Sequence, residues 1–256
     1  TYKVVSEPHY ITNPEIVAKN TEAFKEPLTK KGLNIELNML DDAFDLGVKY
    51  VTTNIAVSRL MGSGIDFQYE GKTYHFNKGI VEDYDKVISA YSGKGMVVNA
   101  ILLNDWSDTT SNLFIPGVQK TSSAYYYMFN ATNEAGFEQL KAISAFLADH
   151  YSGKNANYGK VSNWIIGNEI ANQEWNYMGP MDLTNYVKTY EKAFRVCYTA
   201  IKSTNANDRV YLSLSYNWMN EMDGQLKYGG KEIIDSFNSI ANNQGDRKST
   251  RLNSSH

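Results

Sequence analysis

The stretch "VSNWIIGNE", Val161 to Glu169, decides how this chain reads. It begins as an apolar run with the length of a buried strand. It ends on Gly167, an amide (Asn168) and a carboxylate (Glu169). A buried strand that hands over to polar side chains at its carboxyl end places them where parallel α/β proteins build their sites.

Outward from this stretch, strands and helices alternate. Upstream, "GMVVNAILLN" (Gly95–Asn104) and "KYVTTNIAV" (Lys49–Val57) read as strands. A short helix "NMLDDAFDLG" stops at Gly47, and "VEDYDKVISAYSG" is a helix ending at Gly93. In "NEAGFEQLKAISAFLADHYSG", Phe137, Leu140, Ile143 and Leu147 recur at helical spacing. Downstream, Asp182 is an N-cap for a helix through about Ser203. The buried stripe of that helix is Leu183, Tyr186, Tyr190, Phe194, Cys197 and Ile201, which makes Cys197 a core residue. "RVYLSLSYNW" (Arg209–Trp218) is the next strand, and "KEIIDSFNSIAN" the next helix. "IDFQYEGKTYHF" reads as a hairpin turning at Glu70-Gly71.

Strands apolar on both faces and separated by helices predict a parallel sheet covered on both sides. A doubly wound sheet and a (β/α)8 barrel compete. The dinucleotide fingerprint is missing, because Gly62–Gly64 and Gly93–Gly95 do not lie between a strand and the helix it feeds. No GxxxxGK[ST] phosphate cradle occurs either. Three strand ends are polar instead: Asn104-Asp105-Trp106, Asn168-Glu169 and Tyr216-Asn217-Trp218. That repetition favours the barrel, whose sites sit at the carboxyl ends of its strands.

If "VSNWIIGNE" is strand 4, strand 1 lies upstream of Asn38, in "KKGLNIE" or "YKVVSE", and "RVYLSLSYNW" is strand 5. The expected fold is therefore α/β, a (β/α)8 TIM barrel truncated after about strand 5, over residues 1–245. The last eleven residues, "DRKSTRLNSSH" (Asp246–His256), back-translate to one frame of a common sequencing-adapter oligonucleotide and are read as non-native. Strands 6 to 8 would then lie beyond the chain. The fragment by itself would lack glycosidase activity and would leave strand 5 as an open edge.

Charge and composition narrow the function. Without the tail, 22 basic residues face 27 acidic ones, a net charge of −5. A nucleic-acid partner would need a basic face. No apolar run reaches the length of a membrane span. One cysteine permits neither an internal disulfide nor a cysteine metal site. His9, His75 and His150 are scattered without ligand spacing, so no cofactor or catalytic metal is expected. His150 falls in the last turn of a helix, where the dipole favours a cation. The aromatics are abundant, with 19 Tyr, 10 Phe and 4 Trp. Tyr and Trp rings combine an apolar face with a polar end, which suits half-buried packing and sugar stacking alike.

The chemistry converges on Glu169. A carboxyl group buried in a barrel mouth has its charged form disfavoured. It can then hold a proton near neutral pH and deliver it to a leaving oxygen. Glycoside cleavage uses such an acid together with a second carboxylate. The alternative is a structural carboxylate in a buried ion pair.

"NWIIGNEIAN" resembles the strand-4 signature of the large retaining clan of (β/α)8 glycoside hydrolases, with a Trp five residues before the Glu and an Asn just before it. Trp164, Asn168 and Glu169 match that pattern. The resemblance implies that Glu169 is the acid/base, that Asn168 holds the sugar hydroxyl beside the scissile bond, and that a glutamate at the end of strand 7 is the nucleophile. The clan often has Pro after the Glu, where this chain has Ile170. From about Lys31 to Asn242 the chain also resembles an uncharacterised bacterial family of that superfamily.

Further candidate substrate contacts are Asn104, Asp105 and Trp106 after strand 3, Trp175 after strand 4, Tyr216, Asn217 and Trp218 after strand 5, and Asn54, read as buried late in strand 2. Asn104 and Asp105 serve equally well as a loop start or cap. Glu174, Glu221 and Asp223 read as solvated loop charges, and Arg59 as one half of a surface ion pair. The expected parent protein is a retaining glycosidase acting on a β-linked glycoside or polysaccharide, a role that suits a secreted or cell-surface protein. The alternatives are a non-catalytic carbohydrate-binding barrel and a metal-dependent barrel enzyme. The latter needs more acidic strand ends than Asp105 and Glu169.

Overall fold

The computed structural model describes residues 14–219 and 224–243. His9, Glu221, Asp223, the segment "YKVVSE" and the tail from Asp246 lie outside them. The elements are β1 (Gly32–Asn34), α1 (Leu40–Asp45), β2 (Tyr50–Ala56), α2 (Val57–Leu60), β3 (Gly64–Tyr69), β4 (Lys72–Asn77) and α3 (Lys78–Gly93). They continue with β5 (Val97–Leu103), α4 (Glu134–His150), β6 (Asn163–Ile166), α5 (Leu183–Thr204), β7 (Arg209–Tyr211) and α6 (Gly230–Asn243).

Local chemistry sets most of these bounds. β2 carries Val51, Thr52, Thr53 and Ile55, whose branched side chains favour extended backbone. The side chains of Asn77, Asn133 and Asp182 accept from the backbone N–H of Ile80 (3.2 Å), Gly136 (2.9 Å) and Asn185 (3.0 Å), capping α3, α4 and α5. The β3–β4 hairpin turns at Glu70 (φ 48°) and Gly71 (φ 78°), the two positive φ values of a turn that follows strand twist.

β1, β2, β5, β6 and β7 form one parallel sheet in that spatial order. The hairpin stands apart from it as a two-stranded sheet. Each new strand of the main sheet joins on the same side as its predecessor. A doubly wound sheet instead reverses direction at a switch point. Strand 1 falls within "KKGLNIE", one of the two expected places.

Alternation along the strands gives the sheet two unlike faces. One carries Val51, Ile55, Val98, Ala100, Leu102, Trp164 and Ile166, each at most 1% exposed. They join Ile88 of α3, Leu140, Ile143 and Leu147 of α4, and Tyr190 and Cys197 of α5 in one core. Each large side chain buried there contributes about 1.5–3 kcal/mol. The other face carries Thr52, Asn54, Asn99, Ile101, Ile165 and Tyr211, which are half-buried or exposed. The expectation of a sheet covered on both sides is thus corrected: among the described residues, helices cover one face. Asn54, expected to be buried, is exposed on the open face.

That open face holds a polar row. Thr52, Asn99, Asn163 and Arg209 share one register across four strands. Asn163 donates to Asn99 Oδ1 at 2.7 Å, and Asn99 donates to Thr52 Oγ1 at 3.4 Å. Arg209 pairs with Glu26 at 3.0 Å and lies 3.9 Å over the Phe24 ring. Phe24 and Glu26 belong to a strap that starts at the end of α5, where Asn20 N–H donates to Thr204 O at 2.9 Å. It passes Asn207, whose amide donates to Thr21 O at 3.1 Å, and reaches β1. The amino ends of the strands therefore have a floor.

Two further expectations change. The last strand is Arg209–Tyr211, not Arg209–Trp218. Its ladder ends at Ile165–Tyr211, because β6 stops at Ile166 and Gly167 (φ 75°) turns the chain away. His150 does end α4, but it is a half-buried partner of Asp85 at 2.8 Å, stacked 3.9 Å from Tyr158. Cys197 lies in the core as expected, where burial pushes its thiol up to about 12.

Candidate active site

The turn after β6 is fixed by its backbone. Gly167 adopts φ 75°, and a Cβ there would meet Asn176 Oδ1 and Ile170 Cγ2, both at 3.2 Å, so glycine is needed on both counts. Glu169 adopts φ 41°, in the left-handed region that costs a non-glycine residue about 1–2 kcal/mol. Ser213, just beyond β7, holds it there. Its Oγ accepts from Glu169 N–H at 2.9 Å, and its carbonyl accepts from Ile170 N–H at 3.0 Å. A proline at 170 could not make the second bond. Strain of this kind concentrates at functional sites.

The rest of the loop is held by Tyr186, expected only as a core residue, and by Gln173, which sequence reasoning did not single out. Tyr186 of α5 donates to Ile170 O at 2.7 Å and accepts from the Asn176 amide at 2.9 Å. The Gln173 amide donates to Gly179 O at 2.8 Å and to Gln225 O at 2.9 Å, while its carbonyl accepts from Met178 N–H at 2.9 Å. Gln173 is 1% exposed. A buried glutamine inside an apparently polar loop was the only hint the sequence held.

On this fixed turn the Glu169 side chain is half-buried. Its carboxylate has neither a hydrogen bond nor an ion pair among the described residues. No described cation approaches it, so no described residue makes it half of an ion pair. Asn168, also half-buried, precedes it.

Asp105 is engaged at the ends of β2 and β5. Ser58 Oγ donates to one carboxylate oxygen, and Arg59 Nε donates to the other at 2.7 Å. The bond to Asp105 holds the Arg59 guanidinium above its ordinary pKa. Arg59 is thus an ion-pair partner as expected, at the mouth.

Asn104 is placed otherwise than expected for a substrate contact. It is 1% exposed, and its amide donates to Leu113 O at 2.9 Å, so it anchors the long loop after β5. Trp106 joins Phe114 and Tyr127 at centroid distances of 4.7 and 5.1 Å, and its indole N–H donates to Asp108 at 2.8 Å. It reads better as packing than as an open platform.

Trp175 belongs to a different arrangement. Residues 125–128 and 174–177 are zipped together: Tyr125 N–H donates to Glu174 O (2.8 Å), Tyr177 N–H to Tyr126 O (2.9 Å) and Met128 N–H to Tyr177 O (2.9 Å). Tyr125 stacks on Trp175 at 4.8 Å and 20°. Tyr126 lies 6.2 Å from the same indole. Glu174, expected to be fully solvated, is half-buried beside Asn172. Beyond β7, Tyr216 and Trp218 are exposed. Asn217 is buried, and its carbonyl accepts from Gly230 N–H at 2.8 Å.

Among the described residues no cluster of His, Cys, Asp and Glu could hold a metal ion. No described helix is long and apolar enough to cross a membrane.

Comparison with known proteins adds the following. A family model described as "Family of unknown function (DUF5722)" matches residues 23–249. No curated protein matches. Among solved structures, a glucosidase from Croceicoccus marinus is similar at 13% identity and TM-score 0.49, over 81% of this chain and 38% of the other. A family 1 β-glucosidase from Thermotoga maritima is similar at 16% identity and TM-score 0.43, over 73% and 39%. A glycoside hydrolase family 5 lichenase from a Caldicellulosiruptor species, solved with cellotetraose, is similar at 15% identity and TM-score 0.45, over 83% and 57%. The chain spans less than two thirds of each.

Proposed function

The chain belongs to that family of unknown function, and we propose that its parent protein is a retaining glycoside hydrolase acting on a β-linked glycoside or polysaccharide. The fold in this reading is a (β/α)8 barrel, of which the described residues form five consecutive strands. Their one-directional spatial order supports it. So do the floor at the amino ends and the loops at the carboxyl ends. Glu169 is the general acid/base, and Asn168 binds the hydroxyl beside the scissile bond. The second carboxylate and the remaining strands belong to the rest of the parent protein.

The observation that carries this reading is the half-buried Glu169 carboxyl, without a partner among the described residues, on a strained turn at the carboxyl end of β6. A structural carboxylate would have a partner, and a loop charge would have no reason for the strain. Proton donation matters most for a poor leaving group. Glu169→Gln in the full-length parent protein therefore lowers kcat by about 10²–10⁴-fold on aryl glycosides with weakly acidic phenols. The loss in kcat/KM shrinks as the phenol becomes more acidic, while kcat stays low because the same residue serves as base in the second step. Equal turnover by both proteins across the series removes Glu169 from the chemistry. Sugar binding without turnover in the full-length protein would favour the non-catalytic carbohydrate-binding barrel.

A further inference from the structure

We infer that Tyr125 is a sugar-stacking station beside Glu169, and that the substrate is an oligo- or polysaccharide rather than a small glycoside. This rests on the glycosidase reading above. Three observations point to it. Tyr125 is 62% exposed, although a large aromatic ordinarily buries most of its ring. One face of it lies on Trp175 at 4.8 Å and 20°, so the ring is pre-oriented and its other face is free. The backbone beneath it is hydrogen-bonded to the loop that leaves Glu169, through Tyr125 N–H to Glu174 O at 2.8 Å.

Trp175 is then the underlayer and Tyr125 the contact surface. A stacked aromatic presents an apolar plane with a hydroxyl at its rim, which matches the C–H face and equatorial hydroxyls of a β-linked hexose or pentose. The station lies on the β5 side of Glu169. Farther along that rim stands the Arg59 guanidinium, oriented by Asp105 and 65% exposed. Its Nε is bonded to Asp105, and its terminal N–H groups have no partner among the described residues. Neighbouring parallel strands are about 4.8 Å apart. The rim from β6 past β5 to β2 is therefore about 10 Å long, room for two sugar units beyond the scissile bond.

Binding to hexaoses tests the station without requiring turnover. The Glu169→Gln form of this chain is titrated with β-1,4-linked gluco-, manno- and xylohexaose and with β-1,3-linked glucohexaose, followed by tryptophan fluorescence, and with the matching disaccharides. The expected result is that at least one hexaose binds more tightly than its disaccharide. Adding Tyr125→Ala weakens that binding about tenfold, whereas Tyr125→Trp preserves it. Tyr125 is exposed, so Tyr125→Ala leaves the thermal midpoint in place. Binding by none of the hexaoses overturns the proposal, as does hexaose binding unchanged by Tyr125→Ala. If Glu169→Gln retains full turnover in the parent protein while the stacking dependence holds, the catalytic reading falls and the station stands.

Discussion

The two ends of β6 are built to opposite rules. At the amino end, Trp164 is fully buried, and its indole N–H donates to Asp208 at 2.9 Å. Asp208 also accepts from the Asn205 amide at 3.2 Å, and Asn205 donates to Ala148 O at 2.6 Å. These groups close on one another. Five residues later, Glu169 sits half-open on left-handed backbone with no partner for its carboxylate among the described residues. In a parallel barrel one end of the sheet serves stability and the other carries the site, and the contrast between Trp164 and Glu169 follows that division under the proposed reading. The lesson is that a polar residue in a parallel strand means little until its end of the strand is known.

The contrast can be broken experimentally. The largest effect expected is the loss of about 10²–10⁴-fold in kcat for Glu169→Gln, with the unfolding midpoint of this chain unchanged. A fall in both would place Glu169 in the structure after all. The mirror image is Trp164→Ala, which costs about 3–5 kcal/mol in urea unfolding because it leaves a cavity and strips Asp208 of a donor. A cost under about 1 kcal/mol would mean the floor is not the stabilising end.

Asp208 sharpens the comparison through pH. Burial pushes its carboxyl from the ordinary value of 3.8 up to about 7, against the lowering effect of the Trp164 and Asn205 bonds. The folded chain therefore holds a proton that the unfolded chain releases near pH 4. The resulting stability is fully present below about pH 4, declines as pH rises toward 7, and is gone above it, a change of about 2–4 kcal/mol. Asp208→Asn, which keeps an acceptor for Trp164, flattens that decline between pH 4 and 8. A decline of unchanged slope in the variant would assign it to another group.

The smallest effect tests the strain. Glu169→Gly relieves the left-handed φ but adds freedom to the unfolded chain, so it leaves stability equal or raises it by up to about 1 kcal/mol. A clear loss of stability would show that the Glu169 side chain holds the turn together.

Much of the fold was legible because it is written in local period. In the stripe through Tyr186, Tyr190, Phe194 and Cys197, the Asp182 cap and the Glu70-Gly71 turn, each residue lies within four positions of the next. The same locality explains the errors. Asn54 and Asn104 look alike in sequence, each late in an apolar strand. One is exposed on the open face, and the other is buried as the anchor of a loop that returns 9 residues later. Trp175 reads as a platform until Tyr125, distant in sequence, covers it.

By itself, then, the sequence determined the order and kind of the elements, the apolar face each turns to the core, and the polar pair that ends β6. Side-chain period and capping chemistry are local and survive in any tertiary setting. The tertiary structure alone decided which strand face stays open, which aromatic lies uppermost, and which carboxylate keeps a free oxygen. Asp105 and Glu169 differ because Ser58 and Arg59 reach the first, while Ser213 reaches only the backbone of the second. Those partners lie more than forty residues away in the chain, beyond any spacing a local pattern can encode.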